Sequence, residues 1–285
     1  MPTQIGILKK YGLQIRGAMG QHLLIDPNMQ RKIVDLLSVR PRDKILEIGP
    51  GLGALTAEIL SRGASVITVE KEKRFIPILT EELAPYGKKF KIVCADILGT
   101  DFKKLLGSGR GKWKVISNLP YYITAPLLLK LAGARKLFSE AVLTMQKEVA
   151  QRLEAFPGTK HYGRLTLAVR YAADVEPGFD IPKTCFTPVP EVDSSVLRLV
   201  FHKGPSLLPG ADEKFLFDLI RIAFGQRRKT FLRVLNRDSQ ICLGRDELLN
   251  IFKSIGFAET IRGEELLLKD FLTLAAKFKR HVHER

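Results

Sequence analysis

Apolar and polar positions follow two regimes along this chain. From about Lys44 to Leu143, short β-branched runs alternate with stretches whose apolar residues recur at helical spacing. The runs Lys44–Ile48, Ser65–Glu70, Lys91–Ala95, Lys114–Ser117 and Glu140–Thr144 predict strands, and Leu55–Arg62 and Phe75–Leu83 predict helices between them. Such alternation predicts a parallel sheet with helices on both faces. After Gly163 comes one more helical stretch, then Val175–Ile181 and Ser195–Phe201, separated by the proline-dense Pro182–Pro190. Those two runs would join the same sheet as a closing antiparallel pair.

The character changes at Gly204–Gly210, where prolines and glycines punctuate the chain. Beyond it no strand pattern is visible. Ala211–Phe224, Lys229–Leu235, Arg245–Ile255 and Glu264–Phe278 read as amphipathic helices. The predicted division is therefore 1–204, a sheet domain with an N-terminal arm over 1–30, followed by a small helical domain over 205–285.

Composition narrows the class. With 285 residues, 45% of them hydrophobic and 27% charged, the chain is neither disordered nor low-complexity and has ample core. Its three cysteines, Cys94, Cys185 and Cys242, suggest no disulfide framework or zinc cluster, so a reducing cytoplasm is the expected setting. The longest uncharged stretch, Val115–Leu129, contains two prolines and is shorter than the roughly 20 residues a spanning helix needs. Lys9, Lys10 and Arg16 precede no apolar segment of the secretory type, so no signal peptide is expected. The unusual bulk property is a net charge of +16, which implies a polyanionic partner, either nucleic acid or a membrane surface.

The candidate chemistry begins where the Lys44–Ile48 run ends in Glu47-Ile48-Gly49-Pro50-Gly51-Leu52-Gly53 before a helix. Glycines let the backbone turn tightly and approach a ligand, and the helix N-terminus presents free N–H groups. Glu70, closing the second run, can accept both ribose hydroxyls of a nucleoside. The combination suits NAD(P) or S-adenosylmethionine equally. Asp96 closes the third run; by itself it reads as a loop cap, although an acid there holds the adenine amine in methyltransferases.

Asn118-Leu119-Pro120-Tyr121 decides between the two ligands. The exocyclic amine of adenine is a poor nucleophile, because its lone pair is delocalised into the ring. The Asn118 side-chain oxygen and the Leu119 carbonyl can accept the two amine hydrogens, favouring a pyramidal nitrogen aimed at a methyl donor. Pro120 stiffens the loop and Tyr121 offers a face for stacking the base. Hydride transfer has no need of such a tetrapeptide.

On these motifs the chain resembles the rRNA adenine N6,N6-dimethyltransferase family. The resemblance runs from about Leu8 to Leu235 and is carried by Gly20–Asp26, Glu47–Gly53, Glu70, Asp96-Ile97, Asn118–Tyr122, Tyr162-Gly163-Arg164, Phe186–Val196 and Gln226–Thr230. It implies an α/β fold: a Rossmann-like, seven-stranded S-adenosylmethionine-dependent methyltransferase domain with a small all-helical C-terminal domain. The bacterial small-subunit type is the nearest likeness. That type dimethylates two adjacent adenosines in the 3′-terminal hairpin of 16S rRNA, within a small-subunit assembly intermediate. The implied roles place Gln21, His22 and Leu24 in a segment closing over S-adenosylmethionine. Gly49 and Gly51 would meet its amino-acid part, Glu70 its ribose, and Asp96 with Ile97 its adenine, with Lys71 also among the cofactor-binding residues. Asn118, counted also among the cofactor-binding residues, and Leu119 would orient the target amine, and Phe186 would stack on the target base opposite Tyr121. Two positions depart from the usual bacterial pattern: His22 stands where many members have asparagine, and Val189 where many have proline. No metal is implied, and a monomer is expected.

The charge has a candidate location. Arg221, Arg227, Arg228, Lys229, Arg233 and Arg237 lie in a stretch without acids, suited to several phosphate contacts. Lys147 and Arg152 are expected near the mouth of the site. Three rival readings share the fold: a large-subunit rRNA adenine methyltransferase of the macrolide-resistance type, a DNA adenine methyltransferase, and a non-catalytic RNA-binding assembly or transcription factor. The first would usually carry Ile at 119 and lack the Gln226–Thr230 signature, the second would more often show Asp at 118, and the third would tolerate decay of Glu70, Asn118 or Phe186.

Overall fold

The computed structural model describes residues 3–15, 21–107, 111–203, 213–241 and 243–283. Arg16, Gly20, the Gly204–Gly210 punctuation and Cys242 lie outside them. The chain opens with α1 (Gln4–Lys10), β1 (Leu23–Leu24) and α2 (Pro27–Leu36). Asp26 caps α2 by accepting from the Asn28 and Met29 N–H groups, with Pro27 at the first helical position. Then follow β2 (Lys44–Ile48), α3 (Ala54–Ser61), β3 (Ser65–Glu70), α4 (Phe75–Glu82), β4 (Phe90–Cys94), α5 (Phe102–Leu106), β5 (Trp113–Asn118), α6 (Thr124–Gly133) and β6 (Phe138–Gln146). Next come α7 (Lys147–Glu154), α8 (Arg164–Ala172), β7 (Ala173–Ile181), β8 (Phe186–Thr187) and β9 (Ser194–Phe201). The helices α9 (Glu213–Gly225), α10 (Phe231–Leu235), α11 (Arg245–Ile255) and α12 (Leu268–His283) complete the described chain.

Seven strands form one sheet in the order β4-β3-β2-β5-β6-β9-β7. The pairs from β4 through β6 are parallel, and β9 runs antiparallel to both β6 and β7. The two late runs do close the sheet, with β9 inserted between β6 and β7. Pro177 is tolerated in β7 because that strand is the edge and its pairing slips beside Pro177. From β2 the chain winds outward through β3 and β4, then returns to β5 on the other side of β2. The strand order therefore reverses between β2 and β5, where a crevice opens at the carboxyl ends of an α/β sheet. Those ends are Ile48 and Asn118, and the Ser117 hydroxyl donates to the Ile48 carbonyl across them.

A second, two-stranded ladder had no counterpart in the sequence reading. β1 pairs antiparallel with β8, Leu23 opposite Thr187 and Leu24 opposite Phe186, and the Ile25 N–H donates to the Cys185 carbonyl at 2.8 Å. Two residues per strand leave no periodicity to read. Lys10 of the arm pairs with Glu81 and Glu82 of α4 at 3.0 and 2.7 Å, joined by the Tyr11 hydroxyl on Glu82. These contacts dock the arm against α4, with Ile7 fully buried beneath.

The chain divides into two compact units, 1–150 with 172–203, and 151–171 with 204–285. The segment 151–171, which the sequence reading placed in the sheet domain, groups with the C-terminal helices instead. The reason is packing: Tyr162, Leu167 and Tyr171 join an aromatic-rich core with Leu216, Phe231, Phe252, Phe271 and Phe278. The Tyr162 hydroxyl also donates to the Leu266 carbonyl at 2.8 Å.

Candidate active site

The sheet unit holds two adjoining cavities at the switch point. The first is lined by Gln21, His22, Leu24, Gly49, Gly51, Glu70, Asn118, Leu119, Tyr121 and Phe186, among others. The second takes in Gln21, Gly49, Glu70, Lys71, Asp96 and Ile97. Gln21, Gly49, Glu70 and Pro120 line both, so the sequence-derived cofactor and target residues meet around one crevice.

The glycine loop turns where β2 ends. Gly49 and Gly51 have φ of +66° and +57°, conformations side chains resist. A Cβ on Gly51 would lie 2.9 Å from Leu23 Cδ2, so a side chain at residue 51 would force Leu23 of the arm to shift. Glu70 fills the rear of the backbone hollow that the loop forms. One carboxyl oxygen accepts from the Glu72 N–H at 2.7 Å and the other from the Gly51 N–H at 3.3 Å. Its burial raises the carboxyl pKa, opposed by these backbone donors. Asp96 is more open. It accepts from Lys71 Nζ at 2.9 Å and from the Leu98 N–H at 2.9 Å, and the Lys71 bond holds its pKa below the usual carboxylate range. Asp96 thus does act as a loop cap, while a carboxylate keeps lone pairs for a further donor. Lys130 of α6 supports the same loop by donating to the Leu98 and Thr100 carbonyls at 2.7 and 2.6 Å.

At the other side of the crevice, Asn118 Nδ2 donates to the His22 carbonyl at 3.0 Å. A carbonyl can only receive, so the amide presents its NH2 to the arm and its oxygen is left for another donor. The Leu119 N–H donates to the Thr144 carbonyl at 3.1 Å, tying the loop to β6. The Tyr121 hydroxyl shares a 3.1 Å bond with Ser194, and the Tyr121 ring lies 5.4 Å from the His22 ring. Phe186 is 2% exposed and forms part of the cavity wall. His22 Nδ1 bonds the Pro188 carbonyl at 2.6 Å. Through its carbonyl and its ring, His22 therefore joins the Asn118 loop to the Phe186 loop.

Some lining residues had no sequence signal. Gln4 and Ile15 come from the arm, Gln30 from α2 and Phe75 from α4. Glu47, in the sequence only the lead-in to the glycine loop, is 1% exposed and lines the first cavity. Among the described residues no cluster suited to a metal ion is present, and no helix is long and apolar enough to cross a membrane.

The expected RNA contacts divide. Arg228, Lys229 and Arg233 are exposed in the helical unit. Arg227 departs from expectation, because its donors are taken within that unit by Glu264 at 2.5 Å and by the Lys160 and Thr159 carbonyls at 3.0 and 3.1 Å. Arg221 binds Asp218 and Gln240, Lys147 pairs with Asp180 at 2.6 Å, and Arg152 is exposed but engaged.

The donor set fits S-adenosylmethionine: a glycine hollow for the amino-acid end, a buried carboxylate for vicinal hydroxyls, and an acid beside the apolar Ile97 for a base edge. Comparisons with known proteins agree. A family model described as ribosomal RNA adenine dimethylase matches residues 12–260. Ribosomal RNA small subunit methyltransferase A of Anoxybacillus flavithermus is 38% identical over 273 residues, covering 94% of this chain and 92% of that protein. The protein of the same name from Bacillus cytotoxicus is 40% identical over 274 residues, covering 94% and 93%. The crystal structure of a dimethyladenosine transferase from Plasmodium falciparum superposes with a TM-score of 0.79 at 28% identity, covering 90% of this chain and 98% of that one. That of the 23S rRNA methyltransferase ErmE does so at 0.69 and 23% identity, covering 90% and 99%, a likeness of fold. With a seven-stranded methyltransferase sheet, an adenine-type tetrapeptide at its switch point and relatives matched almost end to end, this chain belongs to the ribosomal RNA adenine dimethylase family.

Proposed function

We propose that the chain transfers methyl groups from S-adenosylmethionine to the N6 amines of two adjacent adenosines in the 3′-terminal hairpin of small-subunit rRNA. It does so as a cytoplasmic monomer acting on a small-subunit assembly intermediate. The carrying observation is the Asn118 amide, whose NH2 is occupied by the His22 carbonyl at 3.0 Å beside the glycine hollow. The choice of small-subunit RNA is supported by relatives that bear that name and are 38% and 40% identical to this chain.

When bound, S-adenosylmethionine supplies an electrophilic methyl on a sulfonium. The protein's part is positioning. Glu70 accepts the ribose hydroxyls, Asp96 and Ile97 receive the adenine, and Gly49 and Gly51 admit the tail. Asn118 Oδ1 and the Leu119 carbonyl accept the amine hydrogens and aim the nitrogen lone pair, a gain in orientation and preorganised charge. Tyr121 and Phe186 hold the flipped base between them. Asn118 carries no charge and is no strong base, so the N6 proton leaves to solvent. The exposed Arg228, Lys229 and Arg233 grip phosphates without reading sequence.

The test is to incubate the protein with labelled S-adenosylmethionine and, separately, naked rRNA, small subunits and large subunits, then map the label. The expected result is dimethylation of two neighbouring adenosines in small-subunit RNA. Label confined to large-subunit RNA, or none, overturns the proposal.

A further inference from the structure

The most exposed large apolar side chain among the described residues is Phe156, at 70%. It stands between α7 and α8 in Ala155-Phe156-Pro157-Gly158-Thr159-Lys160, a turn with φ of +80° at Gly158. An exposed turn with few buried contacts is ordinarily free to open. This one is braced. The Phe156 carbonyl accepts from the Thr159 N–H at 3.2 Å and from the Thr159 hydroxyl at 2.7 Å. The Gly158 N–H donates to the Glu264 carbonyl at 2.8 Å. Arg227 donates to the Thr159 and Lys160 carbonyls at 3.1 and 3.0 Å, and the Glu264 carboxylate holds that guanidinium in place. All of these residues lie within the helical unit.

Charge and ring geometry indicate what the side chain is held out for. The Arg170 guanidinium of α8 lies over the Phe156 ring, 5.8 Å from its centroid, and among the described residues no carboxylate pairs with it. From Ala155 to Tyr171 the chain has no acid, and Lys160 and Arg164 are exposed cations in the same stretch. The bracing Arg227 leads directly into the exposed Arg228 and Lys229. So one-sided a rim of cations suits a polyanion, and an aromatic ring at its centre suits one that carries flat apolar faces. RNA is both. Every nucleobase offers a π-face, stacking on an aromatic side chain tolerates any sequence, and an arginine beside the ring adds to it. Because the loop is already fixed, binding does not have to order it.

Resting on the rRNA reading above, we propose that Phe156 is a stacking platform for an unpaired nucleobase of the RNA, with Arg170 backing its other face. That base is distinct from the target adenosine, which Tyr121 and Phe186 of the sheet unit hold. The platform adds affinity that depends on neither sequence nor salt to the phosphate grip of Arg228, Lys229 and Arg233.

The full-length protein is titrated at constant salt with an unstructured oligoadenylate, with an abasic ribose–phosphate chain of the same length, and with small subunits. Stacking one base is worth about 5- to 150-fold in affinity, so Phe156→Ala should bind oligoadenylate and small subunits more weakly by that factor. Its affinity for the abasic chain, its slope of log Kd against log salt and its affinity for S-adenosylhomocysteine should match wild type. Phe156→Trp keeps a flat face and should bind as wild type does, its fluorescence quenched by oligoadenylate and not by the abasic chain. Phe156→Leu keeps apolar bulk without the π-face and should fall with alanine. Binding by Phe156→Ala within about twofold of wild type on either base-bearing probe overturns the inference, as does an equal loss on the abasic chain. Full binding by Phe156→Leu, or a dimer in sedimentation that vanishes in Phe156→Ala, overturns it in favour of a protein-docking contact. Each of these results leaves the methylation reading standing. Failure of the wild type to label small-subunit RNA overturns that reading, and the oligoadenylate contrast still decides whether Phe156 stacks bases.

Discussion

Asn118→Ala separates the two jobs assigned to one amide. In the folded protein its NH2 is bound to the His22 carbonyl at 3.0 Å, in a half-buried setting. Deleting that bond costs about 0.5–1.5 kcal/mol, since the freed carbonyl can reach water. For a chain of this size that lowers Tm by roughly 2–5 °C. The catalytic cost is larger, because removing a preorganised group that stabilises the reacting geometry costs about 100- to 1,000-fold in rate, or about 2.7–4 kcal/mol. The assay is single-turnover methyl transfer to small-subunit rRNA at saturating cofactor, beside a melting curve and a calorimetric Kd for S-adenosylhomocysteine. The expected outcome is a folded variant with cofactor affinity within about threefold of wild type and a rate at least about 100-fold lower. Asn118→Asp refines the test. It keeps the acceptor and loses the donor to His22, so it should weaken the arm's hold while retaining more activity than alanine. A rate within about fivefold of wild type for Asn118→Ala would refute the orienting role. A loss traced wholly to cofactor affinity would refute it equally.

Other perturbations probe the surrounding machinery. Gly51→Ala places a Cβ 2.9 Å from Leu23 Cδ2 on a backbone with φ of +57°; forcing that conformation costs roughly 1–2 kcal/mol before any clash. Affinity for S-adenosylhomocysteine should fall at least about tenfold with far-UV circular dichroism unchanged, and wild-type affinity would rule out the hollow as the tail's seat. Replacing Arg228, Lys229 and Arg233 together with alanine should reduce the slope of log Kd against log salt by about 2–3 for rRNA binding, without altering cofactor affinity; an unchanged slope would remove them from the RNA surface. Arg227→Ala should do the opposite. It loses an ion pair and two carbonyl acceptors within the helical unit, so urea denaturation should register about 1–2 kcal/mol of lost stability while the salt slope stays put.

Much of the sheet was legible because parallel strands buried on both faces are written as β-branched runs. Lys44–Ile48 and Ser65–Glu70 form strands with the ends read from the sequence, and Glu140–Thr144 lies inside the longer Phe138–Gln146. The crevice was legible through residues that stand at strand ends: Glu70, Asn118 and the glycine loop. Other features left no local trace. A ladder of two residues per strand has no period, and 151–171 reads as ordinary helical sequence until its aromatic residues find the C-terminal core. The basic residues misled in a consistent way. Lys10 and Arg227 count toward the charge of +16, yet both are neutralised by acids far along the chain, at Glu81, Glu82 and Glu264.

By itself the sequence determined the periodicities, the turns that only glycine or proline can make, and the chemical types available at each strand end. These depend on neighbours within a few residues, where backbone sterics and side-chain spacing act directly. Tertiary structure alone decided which end of the Asn118 amide is free, that His22 joins loops 96 and 166 residues away, and that Glu47 lines the ligand cavity. Those outcomes depend on burial and on hydrogen-bond partners brought together by the strand order, and neither exists until distant segments pack.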